Sequence, residues 1–335
     1  MLASAFLLGQ KPPSIWRAKM GRRKKGNPVH GWVILDKPLG LGSTQAVSQV
    51  RRIFDAQKAG HAGTLDPMAT GILAIALGEA TKTVPYAMDS DKVYRFTAQW
   101  GESRDSDDAQ GKVTGTSDRR PTEAEILAQL PRFTGTLTQV PPAYSAIKVD
   151  GERAYDLARG GENVVLEPRQ VEVYEARLLG VTPDSAEFEI CCGKGTYVRS
   201  WVRDIALALG TLGHVTALRR TRLGSWEEKD AVTLDTLGPF MHSPAAFGYL
   251  KPLATALDGI PALAVSGPDT VRIRSGNPIL IRANIFAKLK DWEDGEDGLH
   301  GLVVFLKDEE GAPVALAEIA EGELRPFRVF NFANP

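Results

Sequence analysis

Residues 93–100, VYRFTAQW, alternate without a break: Tyr94, Phe96, Ala98 and Trp100 fall on one side, Arg95, Thr97 and Gln99 on the other. A period of two over a full strand length specifies a β-strand with one buried face. Shortly before it, GILAIALG is apolar throughout, the pattern of a strand covered on both sides. Between and beyond these runs lie segments of helical spacing. Val47, Val50, Ile53 and Phe54 share one face after a cap at Ser43 or Thr44, and Val198, Trp201, Val202, Ile205 and Leu209 share another. Further strands are predicted at GWVILDKP, YSAIKV, VEVYEARLLG, AEFEICC and VTALRRTRLG, with helices at AYDLARGG and after a Thr122–Glu125 capping box that buries Ile126, Leu127 and Leu130. EATKTVPYAM reads as a short helix broken near Pro85. Strands and helices mix without a βαβ rhythm, so the expected class is α+β with a largely antiparallel sheet.

The chain has 335 residues, enough for two domains. Composition shifts near LKPLATALDGIPAL, after which short strands and turns with little helix suggest a small β-rich domain. The predicted division is an extension and flexible basic arm over 1–29, a main domain over 30–248 and the β-rich domain over 249–335. MLASAFLLGQ lacks the basic lead and cleavage site of a signal peptide, and Met20 opens an ordinary start, so residues 1–19 read as an unstructured extension. No apolar run is long enough to span a bilayer. Cys191 and Cys192 are adjacent and point to opposite faces of a strand, which favours free thiols and a reducing, cytoplasmic setting.

The formal net charge is only −1. Its distribution is uneven. No acid precedes Asp36, whereas Arg17, Lys19, Arg22, Arg23, Lys24 and Lys25 do, and acids dominate from Asp291 to Glu323. A neutral total therefore hides a positive face.

Two nucleotide motifs fail. VILDKPLGLGSTQAV has a Gly-x-Gly between strand and helix, but Gln45 stands where a dinucleotide fingerprint needs its third glycine. GEATKT lacks the Gly-Lys-Ser/Thr ending of a P-loop. No Cys/His cluster supports a metal, and no cofactor is expected.

What remains is one acid among cations and rings. Asp66 sits in GHAGTLDPMATG, otherwise uncharged except for His61; its Asp-Pro pair alone would make it a turn residue. Lys37, Tyr94, YSAIK, KGTYVRS and LRRTRLG surround it in a pattern suited to an anionic, planar substrate, which RNA is. Two classes fit: an enzyme that works on an RNA base, and an RNA-binding or chaperone protein that needs no chemistry.

GHAGTLDPMATGIL resembles the signature of the TruB family of tRNA pseudouridine synthases, G-x-L-D-x-x-A-T-G. HGWVILDKPLG, YSAIKVDGERAYDLAR, KGTYVRS and HVTALRR resemble that family's other blocks in the same order, from about His30 to Trp226. The tail from about 250, with IRSGNP, resembles its PUA-like C-terminal domain. The resemblance implies a pseudouridine-synthase-type sheet core and the isomerisation of uridine 55 in the tRNA T-loop by base flipping, without a cofactor, by a protein expected to be a monomer. It further implies Asp66 as the catalytic carboxylate, with Arg199 paired to it. Tyr94 would stack on the flipped base, Tyr197 would contact the target nucleotide, Leu218 would close the pocket and His61 would help extract the base; Lys37 is a further candidate substrate contact. A neighbouring guanidinium would keep a buried Asp ionised.

Overall fold

The computed structural model describes residues 26–332 except 146, 150, 161–165, 290, 291 and 293–297. The choice of start site and most of the basic arm lie outside the described residues, as do many of the acids after Asp291.

Along the chain come β1 (Gly31–Lys37), α1 (Ser43–Ile53), β2 (Ala59–His61), β3 (Ala69–Leu77), α2 (Val84–Asp89) and β4 (Lys92–Trp100). The hairpin β5 (Glu102–Arg104) and β6 (Val113–Thr116) follows, then α3 (Glu123–Gln129), β7 (Gly135–Gln139), a small hairpin of β8 (Lys148–Val149) and β9 (Glu152–Arg153), and α4 (Ala154–Arg159). The main sheet is completed by β10 (Arg169–Val181), β11 (Ser185–Cys192), β12 (Gly213–Leu223) and β13 (Trp226–Glu227), with α5 (Val198–Ala208) between β11 and β12. Its order is β1-β3-β12-β4-β11-β10-β7, with β2 beside β3 and β13 beside β12. Among the described residues of this sheet, only β12 and β3 pair in parallel, Leu218 opposite Ala69; its other ladders are antiparallel. The α+β expectation holds.

The alternation of β4 explains the core. Phe96, Ala98 and Trp100 are buried, and the rings of Phe96, Phe188 and Trp201 meet with centroids 5.2–5.6 Å apart, which seats α5 on the sheet. Burying side chains of this size contributes ~1.5–3 kcal/mol each. Tyr94 continues the same face to the end of the strand. There it is only partly covered.

The apolar run of β3 is also explained. Leu73, Ile75 and Leu77 join the core under α1 and α5, while Ile72, Ala74 and Ala76 face the opposite side with Trp32, Ile34 and Trp226. That second face is covered by Leu253, Leu257, Phe305, Leu316 and Phe330. The last three belong to or follow a five-stranded sheet of β14 (Ala262–Ala264), β15 (Ile279–Leu280), β16 (Val303–Lys307), β17 (Pro313–Ala320) and β18 (Glu323–Val329), ordered β14-β16-β17-β18-β15. Lys251 exchanges backbone hydrogen bonds with Trp32 at 2.8 and 2.9 Å. A boundary at 248/249 therefore precedes a segment stitched to β1, and the second sheet begins at Ala262.

The break expected near Pro85 is present: a 3-10 turn over Gly78–Lys82 ends at Thr83, and α2 starts at Val84 with Pro85 in its first turn, where the missing N–H is harmless. Three local expectations are corrected. Gly42 caps α1, because the Ser43 hydroxyl is taken by Leu65. Leu127 is exposed, since only the Ile126 and Leu130 side of α3 meets the sheet. The second domain carries helices at Gly267–Arg274 and Ala283–Leu289, against an expectation of little helix. Cys191 and Cys192 are free, as expected.

Candidate active site

Asp66 is held by its loop and answered by a helix. Ser43 Oγ donates to Leu65 O and accepts from Leu65 N, both at 2.8 Å, and Gly40 N donates to Pro67 O at 2.8 Å. Ala69 N donates to Asp66 O at 3.0 Å. The Asp-Pro turn is thus real, and the carboxylate remains free of it. Arg199, on the first turn of α5, brings Nη2 to 2.8 Å from Asp66 Oδ2. The guanidinium is almost fully buried while about a third of the Asp66 side chain is exposed. Arg199 also donates Nη1 to Ser106 O at 2.8 Å and Nη2 to Tyr144 O at 2.9 Å, with Asp108 Oδ2 3.6 Å from Nη1. Several contacts on one planar fork fix its direction.

The start of α5 is itself anchored. Gln139, buried at the end of β7, accepts from Tyr197 N at 2.8 Å and donates to Tyr197 O at 3.0 Å. This sets Tyr197 as the residue capping α5 and turns its ring toward the cleft.

The cleft, of about 260 Å³, is lined by Asp66, Tyr94, Tyr197, Leu218 and Arg199 together with Arg220, Lys92, Lys194 and Arg169. Among the described residues that line it, Asp66 is the one acid, against five cations. Such a cleft focuses positive potential around one carboxylate. Burial raises the phenol of Tyr94 above its ordinary range, opposed by Arg220, so the ring stays neutral. Burial likewise raises Tyr197, opposed first by Arg169.

Five of the seven residues expected from the sequence meet here: Asp66, Arg199, Tyr94, Tyr197 and Leu218. Two do not line the cleft. Lys37 is fully buried, and its Nζ donates to Pro38 O at 3.0 Å and Leu41 O at 2.7 Å. It holds the loop that receives Pro67 and offers no surface to a substrate. Burial lowers its ammonium to about 8, against the opposing pull of Asp66. His61 stands on β2, outside the lining residues; burial, then the charge of Arg220, lowers its imidazole below the ordinary value, so it is neutral at pH 7.

Arg220 is the residue the sequence reading passed over. It is 1% exposed, and it donates Nε to Ile72 O at 2.7 Å, Nη2 to Gly63 O at 3.2 Å and Nη1 to the Tyr94 hydroxyl at 3.5 Å. One guanidinium therefore ties β3, the Asp66 loop and the Tyr94 ring. A signal was available: Leu218 and Arg220 are two apart on a strand and face the same way. The same strand explains a glycine. Gly71 has φ +93°, and a Cβ there would lie 2.2 Å from Arg220 O.

The sequence model of the TruB family pseudouridylate synthase N-terminal domain matches residues 51–198, and that of the tRNA pseudouridylate synthase B C-terminal domain matches residues 199–258. The chain is 49% identical to tRNA pseudouridine synthase B of Bradyrhizobium diazoefficiens, over 97% of this chain and 94% of that protein. The chain belongs to the TruB family. The Caulobacter vibrioides member, also a tRNA pseudouridine synthase B, is 50% identical over 93% of this chain and 99% of its own. Among solved structures, a Cbf5–Nop10–Gar1 complex matches with TM-score 0.66 and 24% identity, covering 90% of this chain and 84% of that one. An H/ACA RNP bound to a substrate RNA containing 2′-deoxyuridine matches with TM-score 0.66 and 21% identity over 94% and 92%. These two share the fold of this TruB family chain.

Proposed function

We propose that this chain is a tRNA pseudouridine synthase that isomerises uridine 55 in the T-loop. The observation that carries the reading is the Asp66–Arg199 pair at 2.8 Å inside a cationic cleft walled by two tyrosines. The reaction breaks the C1′–N1 bond and makes a C1′–C5 bond; the hydrogen on C5 leaves as a proton and N1 takes one up, so the product is an isomer of the substrate. It needs neither an oxidant nor added water. Asp66 supplies the carboxylate that adds to the sugar or base, or removes a sugar proton. Arg199 keeps that carboxylate charged and aimed. Tyr94 stacks on the flipped uracil, Tyr197 contacts the target nucleotide and Leu218 closes the pocket. Flipping costs a few kcal/mol, which stacking at ~1–3 kcal/mol per base and phosphate contacts offset.

The remaining roles are read in the same frame. His61, neutral beside the pocket, helps extract the base. Lys37 acts through the loop it holds. Residues 30–248 carry the chemistry with residues 249–260 packed against them, and the sheet that begins at Ala262 belongs to a PUA-like domain that meets the rest of the tRNA. The protein works as a monomer on the T-arm in the cytoplasm. Among the described residues no helix is long and apolar enough to cross a membrane.

The test is tritium release from C5-labelled uridine in tRNA transcripts. Asp66→Asn keeps the size and the turn but removes the carboxylate. It is expected to fold, to bind tRNA near the wild-type affinity and to release no tritium above background. Turnover comparable to wild type would make Asp66 a turn residue only, and the catalytic assignment would fall.

A further inference from the structure

Arg199 is not alone on its face of α5. Arg203 follows one helical turn later, so the two guanidinium groups project side by side. Both reach the same short loop between β5 and β6. Arg199 takes Ser106 O at 2.8 Å and lies 3.6 Å from the Asp108 carboxylate, while Arg203 Nη1 pairs with Asp107 Oδ2 at 2.9 Å. Three consecutive residues therefore hold two arginines, with Asp107 at the centre. Its backbone is fixed as well: Asp107 N donates to Arg104 O and Val215 N donates to Asp107 O, both at 3.0 Å, which ties the loop to β12 three residues before the strand reaches Leu218. Arg203 is fixed from its other side by Asp204 Oδ1 and Val140 O, each at 2.9 Å.

Resting on the pseudouridine synthase reading above, we propose that the Asp107–Arg203 pair is a positioning device for the reaction: it locks the loop of residues 105–108 against α5 so that Arg199 presents Nη2 to Asp66. Neither residue lines the cleft, so neither touches the substrate. Both act through Arg199.

Asp107 is a poor choice for stability alone. It adopts φ +58°, in the left-handed region that aspartate and asparagine visit more readily than other side chains but that only glycine enters freely. It is 9% exposed. The charges facing it are Arg203, Arg199 and Asp204 of α5 and Asp108 beside it, whereas β12 meets it with the backbone of Val215. Burial raises its carboxyl to about 6, with Arg203 and then Arg199 opposing and Asp204 adding to the rise. A carboxyl raised in the folded state favours folding when protonated. That favour is present below its ordinary value of 3.8 and is lost as pH rises through about 6. At neutral pH the ionised Asp107 therefore favours the fold less than its protonated form does, and what it supplies there is the 2.9 Å pair with Arg203.

The experiment measures single-turnover tritium release from C5-labelled tRNA, tRNA affinity by filter binding and melting temperature, for the full chain and for Asp107→Asn, Arg203→Gln, the double variant and Arg203→Lys. Asp107→Asn is expected to lower the single-turnover rate by about tenfold or more, as small misplacements of a catalytic group do. Its affinity should stay within about threefold and its melting temperature should not fall. The wild-type rate should drop as pH falls through about 6, and Asp107→Asn should lack that limb. The double variant should be no slower than the worse single variant, and Arg203→Lys should recover most of the rate. Rates within about twofold of wild type at every pH, or a loss that follows affinity or melting temperature, overturn the proposal. If the wild-type chain itself releases no tritium, the functional reading fails and takes this one with it; an active wild type with unaffected variants refutes the positioning role alone.

Discussion

Lys37→Met separates a substrate contact from a buried brace. In the structure Lys37 has no exposed surface, and its ammonium is lowered from 10.5 to about 8, chiefly by burial. Unfolded, the chain keeps that proton up to about 10.5; folded, it releases it near 8. The burden of the buried charge is thus complete below pH 8, and wild-type stability rises as pH climbs from about 8 toward 10.5. At ~1.36 kcal/mol per pH unit, the full span is worth at most ~3 kcal/mol. Methionine removes this burden but strands Pro38 O and Leu41 O, each costing ~1–3 kcal/mol if left unpaired. At pH 7 the relief of ~3 kcal/mol offsets about that much of the ~2–6 kcal/mol lost at the carbonyls, so the variant should lie between ~1 kcal/mol more and ~3 kcal/mol less stable than wild type. At pH 10.5 only the stranded carbonyls remain, and the variant should be the less stable by ~2–6 kcal/mol. Urea unfolding of both proteins at pH 7 and pH 10.5 reads the change directly, because titrations common to both cancel in the difference. A stability difference that is the same at both pH values would refute the buried ammonium. The functional arm is independent. With Lys37 under the loop that receives Pro67, tRNA affinity should stay near wild type while the single-turnover rate falls; an intact variant with tenfold weaker tRNA binding would restore the substrate contact expected from the sequence.

Arg220→Met should slow single-turnover tritium release by about tenfold or more while tRNA affinity changes little, because Tyr94 and the Gly63 carbonyl lose a shared anchor; an unchanged rate would reduce Arg220 to a core residue. A chain ending at 260 keeps Lys251, Leu253 and Leu257 against Trp32, and a chain ending at 248 does not, so the shorter fragment should melt lower by roughly 2–4 °C per kcal/mol of lost packing. The longer fragment should still modify a T-arm hairpin while binding whole tRNA more weakly; equal melting temperatures for the two would show that residues 249–260 add nothing to the main domain.

The parts of this molecule that could be read in advance are those whose chemistry is local. The alternation of residues 93–100 specifies both the strand and its buried face, since successive side chains must point in opposite directions. The same rule, extended by one residue, leaves Tyr94 at the end of a buried stripe. It does not say that the cover of α5 stops short of it. That fact depends on where α5 begins, which Gln139 decides from a strand 58 residues away. Lys37 shows the limit more sharply. A Lys-Pro step after a strand looks like a phosphate contact, and the cations of such a loop usually face water. Here the loop folds over the amine, because Leu41 and Pro38 turn their carbonyls inward to accept from it. The helices after 266 escaped the reading for a related reason: short helices with a weak apolar period are decided by the surface they land on, and that surface belongs to another part of the chain. Arg220 was legible by parity with Leu218, yet an arginine on a predicted strand is ordinarily taken to face solvent. What distinguishes it is the coincidence of three oxygen atoms from three elements. An Asp in an uncharged loop is different, because it poses its own question. Its charge must be answered from elsewhere in the fold, and the answer, Arg199, comes with a second arginine and a second aspartate that the loop alone could not announce.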